Sequence, residues 1–163
     1  MVVASKNFQD FEYGVPKKIF EEAGYEVVTV SSKKEVTSKL GEDMTVDLLL
    51  DEVKEEDYQA VVFVGGGGCK EYFDNKVAHN LANAFEAKKK IVAAICLAPV
   101  ILGHAGVVKG RKVTCHEGGE EKLKKLGFES TREDVVVDGN LITGNGPDAA
   151  EKFGIAIVKA LSE

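Results

Sequence analysis

Ile91-Val92-Ala93-Ala94-Ile95-Cys96-Leu97-Ala98-Pro99 is the stretch on which the fold turns. Five apolar residues without a charge suit a strand buried on both faces, and a proline shortly afterward suits the first turn of a helix. The reading is strand, cysteine, helix. A second run of the same kind, Ala60-Val61-Val62-Phe63-Val64, empties into four consecutive glycines, Gly65 to Gly68. Two wholly apolar strands, each followed by a helical pattern, predict neighbouring members of a parallel sheet.

The rest of the chain extends this alternation. Met1 to Ala4 suits a short buried strand, and Val15, Ile19 and Ala23 mark the apolar stripe of a helix stopping at Gly24. Glu26 to Val30 and Met44 to Leu50 are further strand candidates. Asp74 is placed to cap a helix that turns Val77, Leu81, Ala84 and Phe85 inward, with Lys88, Lys89 and Lys90 at its C-terminal end. Val113 to Cys115 reads as a strand, Glu120 to Leu126 as a helix, and Val135 to Thr143 as a hairpin turning at Asp138-Gly139-Asn140. A last helix runs from Pro147 to about Leu161. The expected architecture is α/β, a three-layer α/β/α sandwich around a mainly parallel sheet, as one domain over residues 1–163.

Composition narrows the function classes. The 163 residues hold 21 Lys and Arg against 27 Asp and Glu, a net charge of −6, which disfavours a general grip on nucleic acid. No apolar run approaches a membrane span or signal peptide, and three cysteines make a poor disulfide framework, so a reducing cytoplasm is expected. Those cysteines lack paired metal-ligand spacing, and no Gly-Lys-Ser or Gly-Lys-Thr follows the glycine run. Neither a metal nor another cofactor is expected.

Candidate chemistry collects at the carboxyl ends of the two apolar strands, where an open parallel sheet binds its ligands. Cys96 at a sharp strand-to-helix turn would have its side chain exposed at the apex and a helix terminus favouring its thiolate, so its pKa is expected below the ordinary value of about 8.5. A cysteine after Val-Ala-Ala-Ile is equally a small buried core residue. Cys69 is a candidate second oxidisable thiol, and Cys115 either is buried or approaches the site. His104 reads as a helix-surface or core residue and His79 as a surface one.

The segments Val92 to Pro99, Phe63-Val64-Gly65-Gly66, Gly110 to His116 and Phe8-Gln9-Asp10-Phe11-Glu12 together resemble the DJ-1/PfpI family, in order and across nearly the whole chain. The resemblance implies a flavodoxin-like fold with a nucleophile elbow. It also implies Cys96 as nucleophile, Glu12 as its acidic partner, and the backbone amides of Gly66 and Leu97 as an oxyanion hole. The peptidase-like branch has a histidine directly after the cysteine, where this chain has Leu97. His116 instead resembles the strand-end histidine of the DJ-1 branch and is carried as a third catalytic candidate.

For Glu12 the plain alternative is a solvated glutamate at a helix start, favourable to the dipole and chemically idle. Proximity to Cys96 decides between the two. Three functions fit the resemblance: an enzyme acting on small reactive carbonyls or glycated groups, of the glyoxalase III or deglycase kind; an intracellular cysteine peptidase or amidase; and a non-enzymatic redox sensor oxidised at Cys96. The corresponding partners are a small aldehyde or a modified protein or peptide, and the resemblance implies a homodimer or larger homo-oligomer.

Overall fold

The computed structural model describes residues 1–163. Its main sheet is built on β6 (Ala60–Phe63), β7 (Ile91–Ile95), β8 (Val135–Asp138) and β9 (Leu141–Gly144), ordered β6-β7-β9-β8, with only β8 antiparallel. β2 (Val30–Ser31) and β5 (Leu48–Leu49) form a parallel pair. The first residues join the two groups, because Val2 bridges Val30 on one side and Phe63 on the other. Val2 N–H donates to the Val62 carbonyl at 2.8 Å and Val3 N–H to that of Val30 at 2.9 Å. β1 (Lys6–Phe8), β3 (Glu35–Ser38) and β4 (Asp43–Thr45) make a separate small sheet.

Helices cover both faces of the main sheet. α1 (Asp10–Glu22) packs against α5 (Ala150–Leu161) on one face; α2 (Lys76–Ala87) and α3 (Pro99–Ala105) lie on the other, with α4 (Glu117–Lys125) beyond α3. The period of two along β7 feeds both layers: Val92 and Ala94 join the α2–α3 core, Ala93 and Ile95 the α1–α5 core. This is the three-layer sandwich that the sequence predicts. No helix is long and apolar enough to cross a membrane.

Several local expectations are corrected. Of Glu26 to Val30 only the end enters a regular strand, because the Thr29 N–H goes to the Asp47 carboxylate at 2.7 Å instead of a ladder partner. Met44 to Leu50 is two strands, since the chain changes sheet where Val46 turns inward. Val113 to Cys115 makes only one bridge, to Ser130; Thr114 N–H donates to the Thr143 hydroxyl and Cys115 N–H to that of Ser130. Asn75, not Asp74, caps α2 by accepting from Ala78 N–H at 3.0 Å, and Val77 is exposed while Ala78, His79 and Ala82 are buried. On α1 the buried stripe is Glu12, Pro16 and Phe20, with Val15 and Ile19 half-buried and Ala23 exposed. The stripe is rotated by one residue, which carries a carboxylate inside.

The glycine run is explained by backbone approach. A Cβ on Gly68 would lie 1.7 Å from the Lys6 carbonyl oxygen, and one on Gly66, whose φ is +99°, would lie 2.6 Å from Gln9 N and 2.7 Å from Asn7 O. The chain from Lys6 to Gln9 thus crosses directly over residues 66–68. Gly68→Ala is expected to destabilise by about 3 kcal/mol, at the upper end of ordinary overpacking. Gly14→Ala, with open space in a helix, should stabilise by about 0.5–1 kcal/mol. Urea denaturation of both variants checks the contrast.

Candidate active site

Cys96 follows β7 with φ of +66°, a left-handed conformation that costs a non-glycine residue of order 1 kcal/mol or more. Neighbours hold it there: Cys96 N–H donates to the Gly144 carbonyl at 2.9 Å, and its own carbonyl accepts from His116 N–H at 2.8 Å. Pro99 then opens α3. This is the nucleophile elbow, though Cys96 is only 7% exposed.

Glu12 reaches the same place from α1. Gln9 is the N-cap of that helix, its side-chain oxygen accepting from Phe11 N–H at 2.7 Å and Glu12 N–H at 2.9 Å. A glutamate three residues after an N-cap ordinarily folds back onto the cap's own N–H. Here the Gln9 N–H is donated to Gly65 O at 3.0 Å instead, which leaves the Glu12 side chain free to turn inward. It is 0% exposed, and neither carboxyl oxygen has a partner at ordinary hydrogen-bond geometry. Cys96 and Glu12 do meet: a Cβ placed on Gly65 would lie 2.5 Å from Cys96 Cβ and 2.8 Å from Glu12 Oε1.

Burial pushes the Glu12 carboxyl up to about 7, against opposing contributions from the Cys96 thiol and the Lys39 cation. Burial, and then the negative charge of Glu12, push the Cys96 thiol up to about 12, although the Gly66 and Leu97 backbone N–H groups face the sulfur and favour its thiolate. The expected low-pKa cysteine is therefore corrected: desolvation and a neighbouring carboxylate outweigh two amides and a short helix. The repulsive part of that shift exists only while Glu12 is ionised. A protonated Glu12 removes it and offers a hydrogen bond to sulfur, so the two groups titrate as one coupled pair.

His116 is brought beside the elbow by its backbone, while its ring is engaged elsewhere. It caps α4, and Nδ1 accepts from Gly118 N–H at 3.0 Å. Its ring makes no hydrogen bond with Cys96. The Leu97 side chain lies against the start of α4, its Cδ2 3.7 Å from where a Gly118 Cβ would sit and 3.4 Å from a Gly119 Cβ. His116 lines a polar cleft with Glu117, Glu120, Arg132, Asn145 and Asp148 that does not include Cys96. His79, expected at the surface, is buried, its Nε2 2.7 Å from the Phe73 carbonyl and its ring stacked on that of His104. Cys69 and Cys115 are buried thiols, both pushed up by desolvation. Arg111 stands at the far end of the sheet, where it joins Glu86 at 3.1 Å and Asn140 at 2.6 Å and ties the β8–β9 turn to α2. No group of three His, Cys, Asp or Glu side chains is arranged to hold a metal ion.

Gln9 and Gly65 are the contributors that the sequence reading passed over. The signal for Gln9 is its spacing from Glu12, a Gln-x-x-Glu in which either reading of the glutamate is open. Nothing in sequence marks Gly65 apart from its three neighbours.

Folding raises the Glu12 pKa, so the native state holds a proton that the unfolded chain has released between about pH 4.5 and 7. Stability is then fully present below pH 4.5 and is lost as pH rises through 7. Relative to Glu12→Gln, the wild type should lose about 3 kcal/mol between pH 4 and pH 8. Urea unfolding at both pH values measures the difference, and a constant gap would contradict a buried titrating Glu12.

The comparisons with known proteins agree on one family. The model of the DJ-1/PfpI family matches residues 1–160. A Methanocaldococcus jannaschii protein of uncharacterised function is 43% identical, the match covering 100% of this chain and 82% of that one. The Bacillus subtilis protein named "Putative cysteine protease YraA" is 34% identical over 93% of this chain and 91% of its own. A ThiJ/PfpI domain protein of Brachyspira murdochii superposes with a TM-score of 0.95 at 39% identity, over 99% of this chain and 94% of that one. Schizosaccharomyces pombe DJ-1, at 21% identity and a TM-score of 0.89 over 99% and 90% of the two chains, shares the fold. With its elbow cysteine, its flavodoxin-like sheet and a family match over nearly its full length, this chain belongs to the DJ-1/PfpI family.

Proposed function

We propose that the protein is a cysteine-dependent enzyme acting on small reactive carbonyls, of the glyoxalase III or deglycase kind. The observation that carries this reading is Glu12: a wholly buried, otherwise unpartnered carboxyl beside Cys96, with a pKa raised to about 7. That is the property of a group that takes and returns a proton near neutrality.

With a 2-oxoaldehyde, the Cys96 thiol passes its proton to the Glu12 carboxylate as sulfur bonds to the aldehyde carbon. The oxygen that gains charge faces the Gly66 and Leu97 amides; an oxyanion donor of this sort is worth roughly 3 kcal/mol in acyl transfer. Protonation of that oxygen by Glu12 gives the hemithioacetal. Glu12, again a carboxylate, removes the C–H proton from the former aldehyde carbon to give an enediol and returns it to the adjacent carbon, while the hydroxyl proton passes to the adjacent carbonyl oxygen, leaving a 2-hydroxy thioester. Water hydrolyses it, releasing the 2-hydroxy acid and restoring the thiol. The net change is addition of one water to the oxoaldehyde, and no redox partner is consumed. These steps draw on no histidine; His116 Nδ1 accepts from Gly118 N–H as the cap of α4.

The peptidase reading is favoured by one observation, the printed name of the Bacillus subtilis relative. It needs a general acid to protonate a leaving amine, and the one histidine beside the elbow, His116, caps α4 through Nδ1 and makes no hydrogen bond with Cys96. Assembly as a homodimer or larger homo-oligomer belongs to the same family-based reading, and light scattering of the purified protein tests it.

Methylglyoxal conversion to lactate by wild type is the direct assay. Cys96→Ser should abolish it, Glu12→Gln should lower kcat roughly 100-fold or more, and His116→Ala should retain most of it. Cleavage of unfolded protein or peptides that depends on both Cys96 and His116, without lactate formation, would instead establish the peptidase.

A further inference from the structure

Gly65 stands where the candidate site closes. A Cβ on it would fall 2.5 Å from Cys96 Cβ, 2.6 Å from the Ile95 carbonyl oxygen and 2.8 Å from Glu12 Oε1, each closer than real Cβ contacts come. Its backbone is not what demands a glycine. Gly66 beside it has φ of +99°, whereas Gly65 lies outside the left-handed region. The requirement at 65 is therefore space, and the space is bounded by the nucleophile's own Cβ on one side and the acid's oxygen on the other.

The same residue also fixes where the acid begins. Gly65 O accepts the Gln9 N–H at 3.0 Å, and the Gln9 side chain holds the Phe11 and Glu12 amides. One glycine thus anchors the start of α1 through its carbonyl and admits the Glu12 carboxyl through its missing side chain. Since neither Glu12 oxygen has another hydrogen-bond partner, a carboxyl pushed out of this gap has nothing else to engage.

We propose that Gly65 is a positioning residue, whose absent side chain sets the separation of Cys96 and Glu12 and so allows them to exchange a proton. The proposal rests on Cys96 and Glu12 as the reacting pair, but its test needs no turnover. The rate of Cys96 alkylation by iodoacetamide is followed against pH by peptide mass spectrometry in wild type, Glu12→Gln, Gly65→Ala and the double variant. Near-ultraviolet circular dichroism reports whether each variant is folded.

Wild type should show a break in the pH–rate profile near 7, as Glu12 ionises beside the thiol. Gly65→Ala should lose that break as Glu12→Gln does, and the double variant should match Glu12→Gln within about twofold, the behaviour of two residues acting through one contact. A folded Gly65→Ala that keeps the break overturns the proposal, as does a double variant whose rate change is the product of the two single changes. If Gly65→Ala does not fold, Glu12→Asp takes its place: the shorter side chain withdraws the carboxyl from the gap without adding an atom. Loss of the break in that variant supports the proposal, and its persistence overturns it. A wild-type break without methylglyoxal turnover would sink the carbonyl-enzyme reading while leaving the positioning role standing.

Discussion

The crossing of residues 6–9 over the glycine run is the contact on which the rest of the site depends. At Gly68 the Lys6 carbonyl occupies the volume that a Cβ would need, so two backbones meet with no side chain between them. That approach fixes the start of α1, and the start of α1 fixes which helix positions face the sheet. It also presents the Gly66 amide to the Cys96 sulfur. Consecutive glycines before a short helix invite a phosphate-cradle reading, but here the run is filled by the protein's own chain.

The site sets an energetic conflict inside that frame. Burying a carboxyl without partners is unfavourable, and so is burying a thiol beside it and holding a cysteine at φ of +66°. Each is tolerated because strong packing surrounds it: Ile95, Phe153 and Ile157 are fully buried on the same face. The conflict is eased while both groups hold their protons and sharpens as Glu12 ionises, so the least favourable feature of the fold is also the one most responsive to a ligand that supplies or accepts a proton.

Much of the fold was legible because the central strands obey simple rules. Ile91 to Ile95 is apolar throughout, as a strand covered on both faces must be, and the proline at 99 marks the helix that follows. Cys96 stood out for the same reason, as the residue at the break. Glu12 was ambiguous because periodicity assigns helix faces by apolar residues, and a buried carboxylate looks like a solvated one until the partner surface is known. The stripe through Val15 and Ile19 was the natural choice; the stripe through Pro16 and Phe20 is the one folded inward. His79 was misjudged likewise, its acceptor being a carbonyl six residues upstream that no pattern reveals. The role of His116 as a cap depends on where α4 begins, three residues before the sequence suggests.

The two hydrophobic layers are unequal. The core beneath α2 and α3 gathers 29 buried residues, whereas that beneath α1 and α5, which includes Cys96, gathers 9. Local opening free energies follow such differences in buried contact, so opening the α1–α5 layer gives up less apolar burial than opening the larger core. A thiol protected by that layer is shielded from bulk reagents only for as long as the helices stay seated. Its exposure to solvent is then a kinetic property of two helices, separable from the stability of the whole molecule.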